Sequence, residues 1–251
     1  MTVTDVNVVK SAIFERPDDA NKGTLGSLLC VCGSYGMAGA AVMSAKGALR
    51  TGIGLAKCAL PRSIYPIVAQ TILESVYYPL SENADGRISK VNVPFLVSES
   101  CKSSATLVGC GLGVCDDTLK IVFSLIENST TPLVLDADAL NCVAKQPEIL
   151  LRKKVPIIIT PHPGEMSRLT GLATPLVNAE RERVALDFAQ KYGVVTVLKG
   201  AGTVIASPNG KVLVNPTGNS GMATGGSGDV LAGMTASILA QGASAFSSAA
   251  A

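Results

Sequence analysis

Short apolar runs alternating with longer segments of helical period constrain this chain more than any other feature. The runs fall at 28–32, 55–60, 76–78, 106–108, 133–136, 157–160, 194–198, 203–206 and 212–214, and several are apolar at nearly every position. Strands of that kind are covered on both faces. The segments 38–50, 114–127, 137–143, 179–191 and 229–241 carry the helical pattern between them. Strand and helix in repetition predict an α/β fold with a mostly parallel sheet and right-handed crossovers. In such sheets the active site forms in the loops at the carboxyl ends of the strands.

The length of 251 residues suits one large α/β domain or two small ones. Apolar residues make up 47% and charged residues 16%, enough to bury a sizeable core and too apolar for disorder. The net charge of +2 gives no support to a nucleic-acid or membrane-surface partner, which needs clustered Lys and Arg. The longest basic run, Arg152-Lys153-Lys154, reads as a solvated helix end. The first twenty residues carry Asp5, Lys10, Glu15, Asp18 and Asp19 and have no apolar centre, so a signal peptide is not expected. No apolar run is long enough to span a bilayer, and the expected compartment is the cytoplasm. Seven cysteines include no pair at C-x-x-C spacing, so a zinc site is not expected. Cys30, Cys32, Cys58, Cys110 and Cys142 read as buried small hydrophobes in a reducing compartment. The segment 81–89 reads as a polar surface loop, and the Ala- and Ser-rich tail 243–251 as the start of a helix.

The span 215–230 holds five glycines and runs directly into the apolar helix that begins Val230-Leu231-Ala232. A glycine loop entering a helix N-terminus collects free N–H groups, and the helix dipole adds ~0.3–1 kcal/mol for an anion, up to ~2 when partly buried. Asp229 stands in the first turn, either as an N-terminal cap or as a base beside the anion site. The loop is not a Walker A motif, and Asp229 occupies the place of the last glycine of a G-x-S-x-G nucleophile elbow. The lone histidine, His162, follows a strand and lies between Pro161 and Pro163, which hold the turn rigid. That placement points to binding, against a structural reading. Gly33-Ser34-Tyr35-Gly36-Met37-Ala38-Gly39 and Gly109-Cys110-Gly111-Leu112-Gly113 each follow a strand and precede a helix. The first lacks the spacing of a dinucleotide fingerprint. Asp136 and Asp138 end another strand and are candidates for water-mediated Mg²⁺, with helix capping by Asp138 as the alternative. Lys199-Gly200-Ala201-Gly202-Thr203 joins two strands as a hairpin turn or a nucleotide clamp.

Taken in order, the segments 33–41, 109–113, 135–141, 160–165, 199–203 and 215–234 closely resemble the ADP- or ATP-dependent NAD(P)H-hydrate dehydratases, across nearly the whole chain. The resemblance implies a ribokinase-like three-layer αβα sandwich with a mostly parallel central sheet. It implies removal of water from hydrated NADH or NADPH at the expense of ADP or ATP, with Mg²⁺ as cofactor. By matching motif, Asp229 would be the base, and Gly226, Ser227 and Gly228 would present N–H groups to the transferring phosphoryl group. Lys199, Gly200, Ala201, Gly202, Thr203 and Gly228 would hold the nucleotide. Ala40, Ala41, Gly111, Gly113, His162 and Asp229 would line the hydrate pocket. ADP is favoured over ATP, both hydrates are expected as substrates, and the family suggests a homotetramer.

Three local departures from the family pattern keep small residues: Asn21-Lys22-Gly23 for His-Lys-Gly, Cys32-Gly33 for Gly-Gly, and Cys110 in the usual Gly-Pro-Gly-x-Gly. Related chains continue past the Ala-rich tail with another helix or two, so one wall of the nucleotide site is expected to be missing here. With about twenty residues before Lys22, the epimerase domain often fused in the family is not expected. Two rivals share parts of the pattern. A kinase of the same fold acting on a vitamin-precursor alcohol would keep the glycine loop and Asp229. A nucleotide-binding sensor would need no base at Asp229.

Overall fold

The computed structural model describes residues 3, 4, 6–13 and 15–251. Asp5, one of the N-terminal charges noted above, lies outside them. In chain order the elements are α1 (Val6–Ala12), β1 (Ser27–Val31), α2 (Ala38–Arg50), β2 (Leu55–Pro61), α3 (Tyr65–Thr71), β3 (Val76–Leu80), α4 (Val93–Cys101) and β4 (Ala105–Val108). Then follow α5 (Asp116–Asn128), β5 (Leu133–Leu135), α6 (Asp138–Val143), β6 (Ile157–Ile159), α7 (Pro163–Thr170), α8 (Thr174–Ala179) and α9 (Arg181–Tyr192). The chain closes with β7 (Val195–Leu198), β8 (Thr203–Ala206), β9 (Val212–Asn215), α10 (Ser227–Ala240) and α11 (Ala245–Ala250). Every expected strand is present within two residues of its predicted ends.

The strands form one sheet in the order β3-β2-β1-β4-β5-β6-β7-β8-β9. All pairs from β3 to β7 are parallel, whereas β8 and β9 are antiparallel. Successive side chains on a strand point to opposite faces. Leu29 and Val31 accordingly join a core formed with α4 to α9, while Leu28 and Cys30 join a second core formed with α2, α3, α10 and α11. The result is three layers, helices on both faces of the sheet, as the apolar runs require.

The cysteines follow this burial. Cys30 and Cys58 are register partners on neighbouring strands. Burial pushes the Cys30 thiol well up and the Cys58 thiol to about 12, so both stay protonated. In the middle of the run 152–154, the Lys153 ammonium donates to the Leu150 carbonyl at 3.3 Å and the Tyr192 carbonyl at 2.6 Å. It closes two helical turns rather than simply facing water.

Helix α10 lies along α2 at backbone contact. A Cβ on Gly233 would sit 2.0 Å from the Ser44 carbonyl oxygen, and one on Gly47 would sit 2.7 Å from the Val230 carbonyl oxygen. Gly233→Ala is therefore expected to force the helices apart and destabilise the protein by roughly 1–3 kcal/mol, as overpacking does. A fall in the urea midpoint at unchanged slope would show it. An unchanged midpoint would mean that the seam can yield.

Candidate active site

The chain leaves β1 towards β2 and β3 on one side, then returns to place β4 on the other side of β1. Between β1 and β4 the direction of winding reverses, and in such sheets the ligand crevice lies at this switch point, at the carboxyl ends of the strands. The loops after β1 and β4 meet there. The Gly33 amide donates to the Cys110 carbonyl at 2.8 Å, and the Ser34 hydroxyl to the Gly111 carbonyl at 2.8 Å.

Beside the crevice, the ends of β5, β6 and β7 bring together a buried ionic cluster. The Lys199 ammonium donates to Asp136 Oδ1 at 2.8 Å and lies 3.8 Å from the Glu165 carboxylate. Thr160 Oγ1 donates to the same Asp136 oxygen at 2.7 Å. Asp136 and Glu165 are almost fully buried. Burial alone would lower the Lys199 ammonium, yet Asp136 and Glu165 hold it above its ordinary value. Burial pushes the Glu165 carboxyl up, more than Lys199 and the His162 amide pull it down. Ala137, between Asp136 and α6, is the only non-glycine residue at positive φ among the described residues, with φ 49°. Such a conformation costs on the order of 1–3 kcal/mol and gathers at functional sites.

Asp229 sits across the crevice, in the first turn of α10. The N-cap position is Gly226, with no side-chain cap bond, so the capping reading of Asp229 is not what the helix uses. The first helical bond of the turn runs from Val230 N–H to Gly226 C=O at 3.0 Å. The Ser227 amide turns back to the Thr224 carbonyl at 3.5 Å, and the Gly228 and Asp229 amides belong to the open end of the helix. The Asp229 carboxylate lies within 4.8 Å of the ligand atoms of both Cys110 and Asp136. Burial, followed by repulsion from Asp136, raises its pKa above the ordinary carboxylate value. Half-buried, with a raised pKa and beside free amides, it is placed as a general base would be.

The other expected residues divide. His162 caps α7: its Nδ1 accepts from the Gly164 amide at 3.0 Å and the Glu165 amide at 3.4 Å, and Glu165 accepts the His162 amide at 2.7 Å. Its side chain is nonetheless half exposed, although its Nε2 lies 3.6 Å from Glu165 Oε1. Ala40 and Ala41, expected to line the pocket, are buried under it; a Cβ on Gly111 would meet Ala40 at 2.7 Å. Asp138 does not cap its helix. It accepts the Gly113 amide at 2.8 Å and so ties the β4 loop to α6. The loop of Lys199, Gly200, Ala201 and Gly202 is a hairpin turn between antiparallel β7 and β8, closed by Thr203 Oγ1 donating to the Gly200 carbonyl at 3.0 Å. Lys199 itself turns inward to Asp136.

Three contributors had no signal in the residue pattern. Cys110 is buried, as expected, but its Sγ faces Asp136 Oδ2 at 3.6 Å, so it is part of the site and not only of the core. A hydrogen bond with Cys32 and burial hold its thiol well above the ordinary value. Glu165 stood in a motif without a role. Arg181 lies under the hairpin and donates to the Leu198 carbonyl at 2.8 Å and the Gly202 carbonyl at 3.4 Å.

A doubly wound sheet with helices on both faces and a glycine loop opening onto α10 defines a protein of ribokinase-like fold. Residues 28–251 match the family model described as NAD(P)H-hydrate dehydratase, and the chain belongs to that family. The bifunctional NAD(P)H-hydrate repair enzyme of Moorella thermoacetica is 39% identical over 93% of this chain, which spans 44% of that protein. The chain thus covers less than half the length of this relative. The ADP-dependent (S)-NAD(P)H-hydrate dehydratase of Neisseria meningitidis is 36% identical over 93% of this chain and 76% of that protein. In structure, the chain resembles the ADP/ATP-dependent NAD(P)H-hydrate dehydratase of Bacillus subtilis, co-crystallized with ATP/Mg²⁺. The TM-score is 0.84 at 30% identity, covering 99% of this chain and 84% of that one.

Proposed function

We propose that the chain dehydrates hydrated NADH and NADPH at the expense of ADP, releasing AMP and phosphate. The observation that carries this reading is Asp229, a half-buried carboxylate of raised pKa at the open end of α10. Hydroxide leaves a carbon poorly and phosphate leaves well, so the hydrate hydroxyl must first be phosphorylated. Asp229 takes the hydroxyl proton as the oxygen attacks the terminal phosphorus and the bond to the nucleotide breaks. The amides of Gly226, Ser227 and Gly228 receive the charge on the transferring oxygens. The ring nitrogen lone pair then expels phosphate, and loss of the C5 proton restores the double bond. The turn at Lys199, Gly200, Ala201, Gly202 and Thr203 holds the nucleotide through its main chain, the Lys199 ammonium being taken up by Asp136, and His162, Gly111 and Gly113 border the hydrate.

Magnesium suits this site in one mode only. It prefers six oxygens and is usually held by one or two carboxylates with substrate phosphates. Cys110 offers sulfur, which suits softer metals. Asp136 is already engaged by Lys199 and Thr160, and Asp138 by Gly113 and Asn141. The residues present therefore fit an ion carried on the nucleotide phosphates and approached by Asp229, where it would neutralise developing charge.

Incubation with hydrated NADH, Mg²⁺ and either nucleotide tests the reading. Recovery of the reduced-cofactor absorbance with equimolar phosphate is expected, faster with ADP than with ATP. Accumulation of a phosphorylated product without that absorbance would assign a kinase instead. No helix of the described residues is long and apolar enough to cross a membrane. The same reading takes the enzyme to be cytoplasmic and a homotetramer, the latter checked by sedimentation.

A further inference from the structure

The segment 81–89 is the polar surface loop expected from its composition, and it is internally ordered. Ser89 N–H donates to the Ser81 carbonyl at 3.0 Å, and Glu82 and Ile88 form an antiparallel bridge. Asn83 pins it in place. Its Oδ1 accepts the amides of Asp85 at 3.0 Å and Arg87 at 3.1 Å, and its Nδ2 donates to the Asp117 carboxylate of α5 at 2.9 Å. Held in this way, the loop touches both glycine loops of the crevice. Tyr35 N–H donates to the Gly86 carbonyl at 2.8 Å. The Arg87 side chain runs across Gly113, where a Cβ would lie 2.5 Å from Nε and 2.9 Å from Cδ; with φ +76° as well, that position admits only glycine without rearrangement.

Arg87 has weak partners of its own. Its Nη1 lies 3.4 Å from the Val114 carbonyl and 3.5 Å from the Asp85 carboxylate, which is 68% exposed; the Cys115 thiol is a further neighbour. An exposed pair of this kind contributes ~0–1 kcal/mol, so a better anion would displace it. On the glycine loop that bonds to Gly86, Tyr35 is 74% exposed and Met37 50%. A Cβ on Gly36 or Gly39 would meet nothing within 4 Å, so the main chain of this loop borders open space. An exposed aromatic ring and a weakly paired guanidinium, on two loops joined by the Tyr35–Gly86 bond, match a ligand that carries a flat ring and a phosphate.

We propose that Tyr35 and Arg87 form the rim that anchors the dinucleotide, Arg87 binding one of its phosphates and Tyr35 covering one of its rings. This inference rests on the function proposed above. Hydrated NADH carries only a pyrophosphate, and hydrated NADPH carries a 2′-phosphate as well. To a guanidinium the two sources are the same chemistry.

Steady-state kinetics of Arg87→Gln, Arg87→Lys and Tyr35→Ala with both hydrates separate them. Arg87→Gln is expected to raise hydrate KM by roughly 10–100-fold, as for a lost hydrogen bond to a charged group, with nucleotide KM unmoved. Arg87→Lys is expected to lie between it and wild type. A rise for both hydrates assigns the pyrophosphate, and a rise for hydrated NADPH alone assigns the 2′-phosphate. Unchanged KM for both hydrates, or an equal rise in nucleotide KM, overturns the proposal. If the wild-type protein turned over neither hydrate, the proposed function would fail and the rim would still be readable. NADPH binding, followed by its fluorescence, is expected to weaken in Arg87→Gln, and unchanged affinity overturns the rim on its own.

Discussion

Asp229→Asn is expected to lower turnover by roughly 10²–10⁴-fold, the range for loss of a general base, with nucleotide affinity largely kept. The amide keeps the shape of the side chain and removes its basicity, so binding and chemistry separate. In the wild-type protein the acid limb of kcat/KM should lie above the ordinary Asp value of about 3.9, because burial and then Asp136 raise the Asp229 pKa. Asp136→Asn removes that repulsion and should move the limb to lower pH. Stability gives an independent check with a definite sign. A carboxyl whose pKa is higher folded than unfolded binds more protons in the native state, so its ionisation costs stability as pH rises through the folded value. Asp229→Asn should therefore be at least as stable as wild type at neutral pH, and its loss of turnover cannot be laid to unfolding. Turnover within a few-fold of wild type would remove Asp229 from the mechanism.

Lys199→Met should be the most destabilising single change at the site. It leaves the buried carboxylates of Asp136 and Glu165 without their shared cation. Removing one partner of a buried pair costs roughly 3–5 kcal/mol. Without Lys199, which pulls it down, the Glu165 carboxyl that burial already raises would titrate higher still in the folded state. The native state would then bind more protons, and the deficit relative to wild type should shrink as pH falls from about 8 towards 5. Denaturant unfolding at several pH values checks this. A deficit under about 1 kcal/mol, the range of an exposed pair, would mean that water already reaches the cluster.

Much of the architecture was legible because burial on both faces writes itself into strands such as Ile157–Ile159, which are apolar at every position. Helices α3, α4 and α8 were not. Each has proline at its first or second position, and each is only six to nine residues long. Proline there is compatible with a helix start, yet in a short segment it looks like a break. The tail, in contrast, does form the helix its composition suggested, α11. At the site, the glycine loop and Asp229 could be found from the run of glycines into an apolar helix. Cys110 could not, because a small apolar residue in a glycine loop looks the same whether it faces core or carboxylate. Lys199 was assigned to the nucleotide by position in the motif. Only the fold shows that its ammonium closes a triangle with residues 63 and 34 positions earlier in the chain, Asp136 and Glu165. The loop at 81–89 is the polar surface loop its composition predicts, and only what its residues face was not legible, because polarity reports exposure and not neighbours.

The seam between α2 and α10 has a consequence for how donor and acceptor meet. In the proposed reaction, one helix continues from the loop that would border the hydrate, and the other would carry the base and the amides for the phosphoryl group. Main chain touches main chain at Gly47 and Gly233, so the pair acts as one rigid chassis with no side chain available to shim it. The reach from hydroxyl to phosphorus is thereby built into the scaffold. Adaptation to a new nucleotide or a new hydrate must come from the lips of the crevice, at 81–89 and 199–203, which can change without altering the alignment of the reacting atoms.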